Sequence, residues 1–127
     1  MSKARILYVE DDPDTSAMLV MYLQRCGYEV VCSADSTQAL TLANEQDFDL
    51  LLFDNWMPDV SGIDLTVQVR QFNNVTPILF YSGAVLKTDE EEALIAGAQA
   101  YLGKPDGIND LVQEIDKLIA SSKTASC

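Results

Sequence analysis

Along this chain, continuous apolar runs of strand length alternate with stretches in which apolar residues recur every three or four positions. The runs at 5–9, 29–32, 50–53, 77–81 and 100–102 predict β-strands, and the periodic stretches predict α-helices over 13–26, 36–45, 61–72, 88–98 and 108–119. In the first helix Leu19, Val20, Leu23 and Cys26 form the apolar stripe, with Asp12 placed to cap it, Pro13 in its first turn and Gly27 past its end. The second helix carries Ala39, Leu40 and Ala43 on one side, the third Leu65, Val69 and Phe72. The last has the clearest core stripe: Ile108, Leu111, Val112, Ile115, Leu118 and Ile119. The acidic run at 89–92 suits the positive end of the fourth helix's dipole and reads as a solvated helix start. Residues 121–127 are small and polar and are expected to fray.

Leu50, Leu51, Leu52 and Phe53 show no polar alternation, as expected of a strand covered on both faces. Strict strand–helix alternation predicts an α/β fold: one five-stranded parallel sheet, right-handed crossovers, and helices on both faces. No repeat or linker interrupts it, so residues 1–127 read as a single domain. In such a sheet all C-terminal strand ends share one edge, and ligands bind outside that edge. Glu10 and Asp11 follow the first strand, Asp54 the third, Ser82 the fourth and Lys104 the fifth. Four separate segments thus bring carboxylates, a hydroxyl and an amine to one place.

Charge sharpens this picture. The formal net charge is −12, which disfavours direct nucleic-acid binding and acidic membrane surfaces and favours a cation or a basic partner. No apolar run is long enough for a membrane span, so membrane insertion is not expected, and the lack of a secretory leader pattern leads us to expect the cytoplasm. Cys26, Cys32 and Cys127 are widely spaced and suit no four-thiolate zinc site; the first two read as small apolar filler and the third as part of a loose tail. The chain has no histidine, which removes Ser-His and Cys-His nucleophile pairs. Glu10, Asp11 and Asp12 stand together without a basic neighbour, although two carboxylates 4 Å apart repel by about 4 kcal/mol at an effective dielectric of 20. A surface turn could tolerate that; a hard, oxygen-seeking cation such as Mg²⁺ would require it. A carboxylate can also act as the nucleophile toward phosphorus.

The segments "ILYVEDD", "LLLFDNWMPDVSG", "ILFYSG" and "AYLGKP" resemble, in order and spacing, the signature segments of the receiver domain of two-component response regulators. The likeness covers nearly the whole chain. It implies a flavodoxin-like sheet of strand order 2-1-3-4-5. It implies that Asp54 is the phosphoacceptor, that Asp11 binds Mg²⁺ directly (Mn²⁺ being an alternative ion) and that Glu10 acts through water. Asp54 and the backbone carbonyl of Trp56 would complete the protein's share of the metal site. Ser82 would bind a phosphoryl oxygen, Lys104 would pair with the phosphoryl group across a cis Lys104–Pro105 bond, and Tyr101 would be the switch aromatic that turns inward. The implied donor is a histidine kinase or a histidine phosphotransfer protein. The chain would catalyse only its own phosphorylation and dephosphorylation, and would signal through the face of the fourth helix, fifth strand and fifth helix. It would do so as a monomer or a phosphorylation-dependent dimer, alone or as a domain of a larger regulator.

The sequence departs from the family pattern at Asn55 and Trp56, where Trp56 could overhang the site, at Asp106 after "KP", and at Gly83, which leaves room beside Ser82. Competing readings fare less well. An aspartyl-nucleophile phosphatase or mutase wants a second aspartate two residues after the nucleophile, where Trp56 stands. A flavodoxin-type cofactor binder would set its phosphate against Glu10–Asp12. A pseudo-receiver scaffold without phosphorylation has no need of the full acidic and lysine set.

Overall fold

The computed structural model describes residues 4–54, 60–83, 87–103 and 108–125, with side chains in the last segment described for 110–121. Strands β1 (Arg5–Val9), β2 (Glu29–Ser33), β3 (Leu50–Phe53), β4 (Ile78–Ser82) and β5 (Ala100–Gly103) alternate with helices α1 (Pro13–Arg25), α2 (Ser36–Glu45), α3 (Gly62–Arg70), α4 (Lys87–Ala96) and α5 (Ile108–Ala125). All neighbouring strands pair in parallel, in the order β2-β1-β3-β4-β5. This is the flavodoxin-like arrangement anticipated above.

Alternation along each central strand splits the core in two. Ile6, Tyr8, Leu50, Leu52 and Leu79 face α1 and α5, where Leu19, Leu23, Leu111, Ile115 and Ile119 pack against them. Leu7, Val9, Leu51, Phe53, Ile78 and Phe80 face α2, α3 and α4, and meet Ala39, Ala43, Leu65, Val69 and Ala93. Every residue of β3 is buried, which its unbroken apolar run requires. Each such leucine or valine contributes about 1.5–3 kcal/mol by leaving water, so the central strands have little freedom to slip, and their C-terminal ends are fixed in register.

Caps settle the helix boundaries. Asp12, Asp35 and Ser61 are N-caps, each accepting from a backbone N–H two or three residues on. The third helix therefore begins one residue later than its apolar pattern suggests. It ends at Arg70, and Phe72 lies beyond it, 42 % exposed, so Phe72 is not part of the core stripe. Helix α4 starts at Lys87 and stops at Ala96, because Gly97 takes φ = +124°, a conformation that ends a helix and suits glycine. Helix α5 runs from Ile108 to Ala125, with no glycine or proline between Ile119 and its end. Cys32 is exposed, not filler, because β2 is an edge strand with only Ser33 fully covered. Cys26 is half-buried against the core, as expected, and Cys127 lies outside the described residues.

Candidate functional site

Backbone hydrogen bonds carry the sheet past its formal ends and bring the acids together. Glu10 N–H donates to the Ser33 carbonyl at 3.0 Å, and Asp54 N–H donates to the Val9 carbonyl at 3.0 Å. Glu10 and Asp54 are thereby held side by side on adjacent strands, and both are buried, 3 % and 7 % exposed. Asp11 stands exposed beside them, and one carboxylate oxygen from each of Glu10, Asp11 and Asp54 lies within 4.8 Å of the others. Asp12 turns away to its capping work, accepting from Asp14 N–H at 3.3 Å and from the Thr15 hydroxyl. The three opening acids thus divide into one cap and two members of a carboxylate cluster.

Glu10 accepts from the Asp12 N–H at 3.4 Å and from the Tyr8 hydroxyl at 3.5 Å, both long and weak contacts. Tyr8 feels the field in turn: burial first, then the Glu10 and Asp54 carboxylates, push its hydroxyl far above the ordinary tyrosine range. The donor set is all hard oxygen. A hard cation that takes one or two carboxylates and keeps several waters suits such a cluster. The chemistry of these residues therefore fits a divalent cation of the magnesium type.

Ser82 closes β4, paired in register with Gly103 at the end of β5. Its side chain is fully buried, yet among the described residues its Oγ has no hydrogen-bond partner. An orphaned buried hydroxyl costs roughly 1–3 kcal/mol, and a ligand oxygen arriving at this edge would relieve that cost. A Cβ built on the next residue, Gly83, would meet nothing within 4 Å.

Tyr101 is 8 % exposed and already turned inward. Its ring stacks on Phe80 at 5.4 Å and 5°, and Phe80 meets Phe53 edge-on at 6.0 Å. The three rings occupy paired positions on β3, β4 and β5, forming an aromatic row that begins one residue before Asp54. The sequence reading singled out Tyr101 and missed Phe53 and Phe80 as its supports; the signal was an aromatic at the matching register position of each strand. It also missed Asp89, read as part of a solvated run. Asp89 is buried, one turn before Ala93 on the sheet-facing side of α4, and among the described residues its Oδ2 has no hydrogen-bond partner. Trp56 and Lys104, like Asn55, Pro105 and Asp106, lie outside the described residues.

Residues 6–116 match the family model of the response regulator receiver domain. The chain belongs to that family. Among curated proteins it is 43 % identical over 101 residues to YrkP of Bacillus subtilis, an uncharacterized transcriptional regulatory protein, covering 80 % of this chain and 43 % of the relative. The chain spans about half the length of the curated relatives it matches. Among solved structures it superposes on a CheY-like response regulator receiver domain protein from Methanospirillum hungatei with a TM-score of 0.91 and 28 % identity, covering 95 % of this receiver and 97 % of that chain. It also superposes on the response regulator TrrA of Thermotoga maritima, solved in complex with Mg²⁺ and BeF, with a TM-score of 0.84 and 25 % identity over 93 % of this chain and 99 % of that one. No helix of this receiver, among the described residues, is long and apolar enough to cross a membrane.

Proposed function

We propose that this receiver accepts a phosphoryl group on Asp54 from a histidine kinase or a histidine phosphotransfer protein and passes the signal on through a protein contact. The observation that carries the reading is the cluster of Glu10, Asp11 and Asp54 carboxylates within 4.8 Å, one strand away from the buried, unpartnered Ser82 hydroxyl. In the transfer an Asp54 carboxylate oxygen bonds to phosphorus as the donor's phosphorus–nitrogen bond breaks, and the departing imidazole keeps that electron pair and takes up a proton. Asp11, Asp54 and the Trp56 carbonyl would hold a Mg²⁺ ion, with Glu10 acting through water. When bound, that cation offsets negative charge on the transferring oxygens. Lys104 pairs with the new phosphoryl group, and Ser82 donates to one of its oxygens. The role of these groups is positioning and charge neutralisation, which is most of what phosphoryl transfer asks of a protein.

Ser82 and Tyr101 couple the site to its surface. A hydroxyl drawn toward the phosphoryl group shifts the end of β4, and with it the packing of Tyr101 on Phe80 and the face formed by α4, β5 and α5. In this reading the protein is a switch that modifies only itself and works in the cytoplasm, where such donors act. The gene-regulatory output named for its relatives is not carried over, since the match covers only about half of their length.

The test is direct labelling. Incubation with acetyl phosphate and Mg²⁺, or with beryllium fluoride and Mg²⁺, should modify the wild-type protein and leave Asp54→Ala unmodified by intact mass. Undiminished labelling of Asp54→Ala would remove Asp54 from its proposed role.

A further inference from the structure

Five of the large hydrophobic side chains that this receiver leaves in water belong to α3, the turn after it, or α4: Val67, Phe72, Val75, Leu94 and Ile95, with Ile95 86 % exposed. Between the two helices runs an open groove of about 580 Å³ whose apolar lining comes from Ile63, Val67, Ile95 and Ala96. Ile63 and Val67 sit on successive turns of α3, so the groove follows that helix for most of its nine residues, or about 14 Å. That is the footprint of a helix of two to three turns laid in a groove.

Charge decides what kind of helix. Among the described residues the one cation lining the groove, Arg70, is already engaged: its Nε and Nη2 donate to the Gly97 carbonyl, its Nη1 to the Asn73 carbonyl, and Nη2 also to the Gln99 side chain. The acids are free by comparison. Glu92 lines the groove, and exposed Glu91 and Asp64 flank it on the two helices; among the described residues none of the three makes an ion pair. A second copy of this chain, itself at −12, would set acid against acid.

We infer that the α3–α4 groove is a docking site for a basic amphipathic helix of a partner protein, its apolar stripe seated on Val67 and Ile95 and its lysines or arginines facing Asp64, Glu91 and Glu92. The surface shares α4 with the α4–β5–α5 switch face and takes α3 in place of β5 and α5.

The experiment titrates the intact protein into a fluorescein-labelled Leu/Lys peptide of about three helical turns, and into a Leu/Glu peptide of the same pattern, at physiological salt. Fluorescence anisotropy should show binding of the Leu/Lys peptide alone. The paired substitution Val67→Asn and Ile95→Asn should weaken it about tenfold or more, and Glu91→Gln with Glu92→Gln should weaken it and flatten its salt dependence. Met18→Asn with Met21→Asn, which alters the exposed apolar residues of α1, should leave binding unchanged. Thermal melts verify that each variant is folded, and every named position is a surface one. Equal loss in the α1 variant would mean unspecific apolar association and would overturn the inference. So would unaltered binding after Val67→Asn and Ile95→Asn, or a wild-type dimer in sedimentation that Ile95→Asn dissolves, which would make a second copy the occupant.

Discussion

The guanidinium of Arg70, at the end of α3, donates twice to the carbonyl of Gly97, at 3.1 Å from Nε and 2.9 Å from Nη2. The contact ties the C-terminus of α3 to that of α4 and satisfies a carbonyl that the end of α4 leaves over. Gly97 permits it twice over. Its φ of +124° is strained for any other residue, and a Cβ there would come within 2.8 Å of Arg70 Cγ. Burial lowers the Arg70 pKa from its usual value, yet guanidinium remains charged at any ordinary pH. Arg70→Ala should therefore destabilise the fold by about 2 kcal/mol in urea unfolding, through lost charged hydrogen bonds and two abandoned carbonyls. Gly97→Ala should cost about 1–3 kcal/mol. Part of that is the clash with Arg70, so in the Arg70→Ala background the glycine substitution should cost about 0.5–1 kcal/mol less. Strict additivity would mean that the side chain moves aside freely.

The carboxylate cluster should make stability depend on divalent cation. Metal-free, Glu10, Asp11 and Asp54 repel one another with two of the three buried. Mg²⁺ at ten times its dissociation constant should raise stability by about 1.4 kcal/mol. Asp11→Asn should stabilise the metal-free protein by relieving repulsion and should abolish the Mg²⁺ response. Thermal melts with EDTA and across a Mg²⁺ series read both effects. A metal-free Asp11→Asn protein that melts lower than wild type would show that these acids are not in conflict.

How much of this was legible in the chain depends on what each residue faces. The strands β1, β3 and β4 read clearly because unbroken apolar runs such as Leu50 to Phe53 have no other stable home than a doubly covered sheet. The convergence of Glu10, Asp11, Asp54 and Ser82 at one edge followed from parallel topology alone, and the assignment of the family followed from motif order. What the pattern could not carry was context set by other elements. Cys32 looks like core by its neighbours, but β2 is an edge strand, and only the strand order exposes that. Asp89 looks solvated by composition, yet its turn of α4 places it over the sheet with Ala93. Phe72 keeps helical spacing from Val69, but α3 ends before reaching it. Phe53 and Phe80 each read as ordinary core; only register reveals that they form one aromatic row with Tyr101.

Tyr8 should set an alkaline limit on stability. Its folded pKa is raised far above the unfolded value near 10, first by burial and then by the Glu10 and Asp54 charges. Above pH 10 the unfolded chain loses a proton that the folded protein keeps, so the unfolded state is favoured as pH rises. The Tyr8 contribution is complete below pH 10 and falls above it by about 1.4 kcal/mol per pH unit. Tyr8→Phe should remove one proton's worth of that slope in urea unfolding between pH 9 and 11, while slightly loosening Glu10 at neutral pH. An unchanged slope would place the hydroxyl in contact with water.

Ser82 separates stability from signalling. Among the described residues its hydroxyl is buried without a hydrogen-bond partner, so the fold carries a desolvation cost that a phosphoryl oxygen at the proposed site would offset. Ser82→Ala removes the orphaned group without opening a large cavity and should raise unfolding stability by up to about 1 kcal/mol. The same variant should still take acetyl phosphate on Asp54, because the carboxylate cluster is untouched, but phosphorylation should no longer perturb the Tyr101 ring signals in NMR spectra that it shifts in the wild type. These two outcomes point in opposite directions for one substitution, which distinguishes a functional hydroxyl from a structural one. A Ser82→Ala protein that is less stable by 1 kcal/mol or more would show that the hydroxyl has a partner in solution, and a normal Tyr101 response would show that the switch runs through another group.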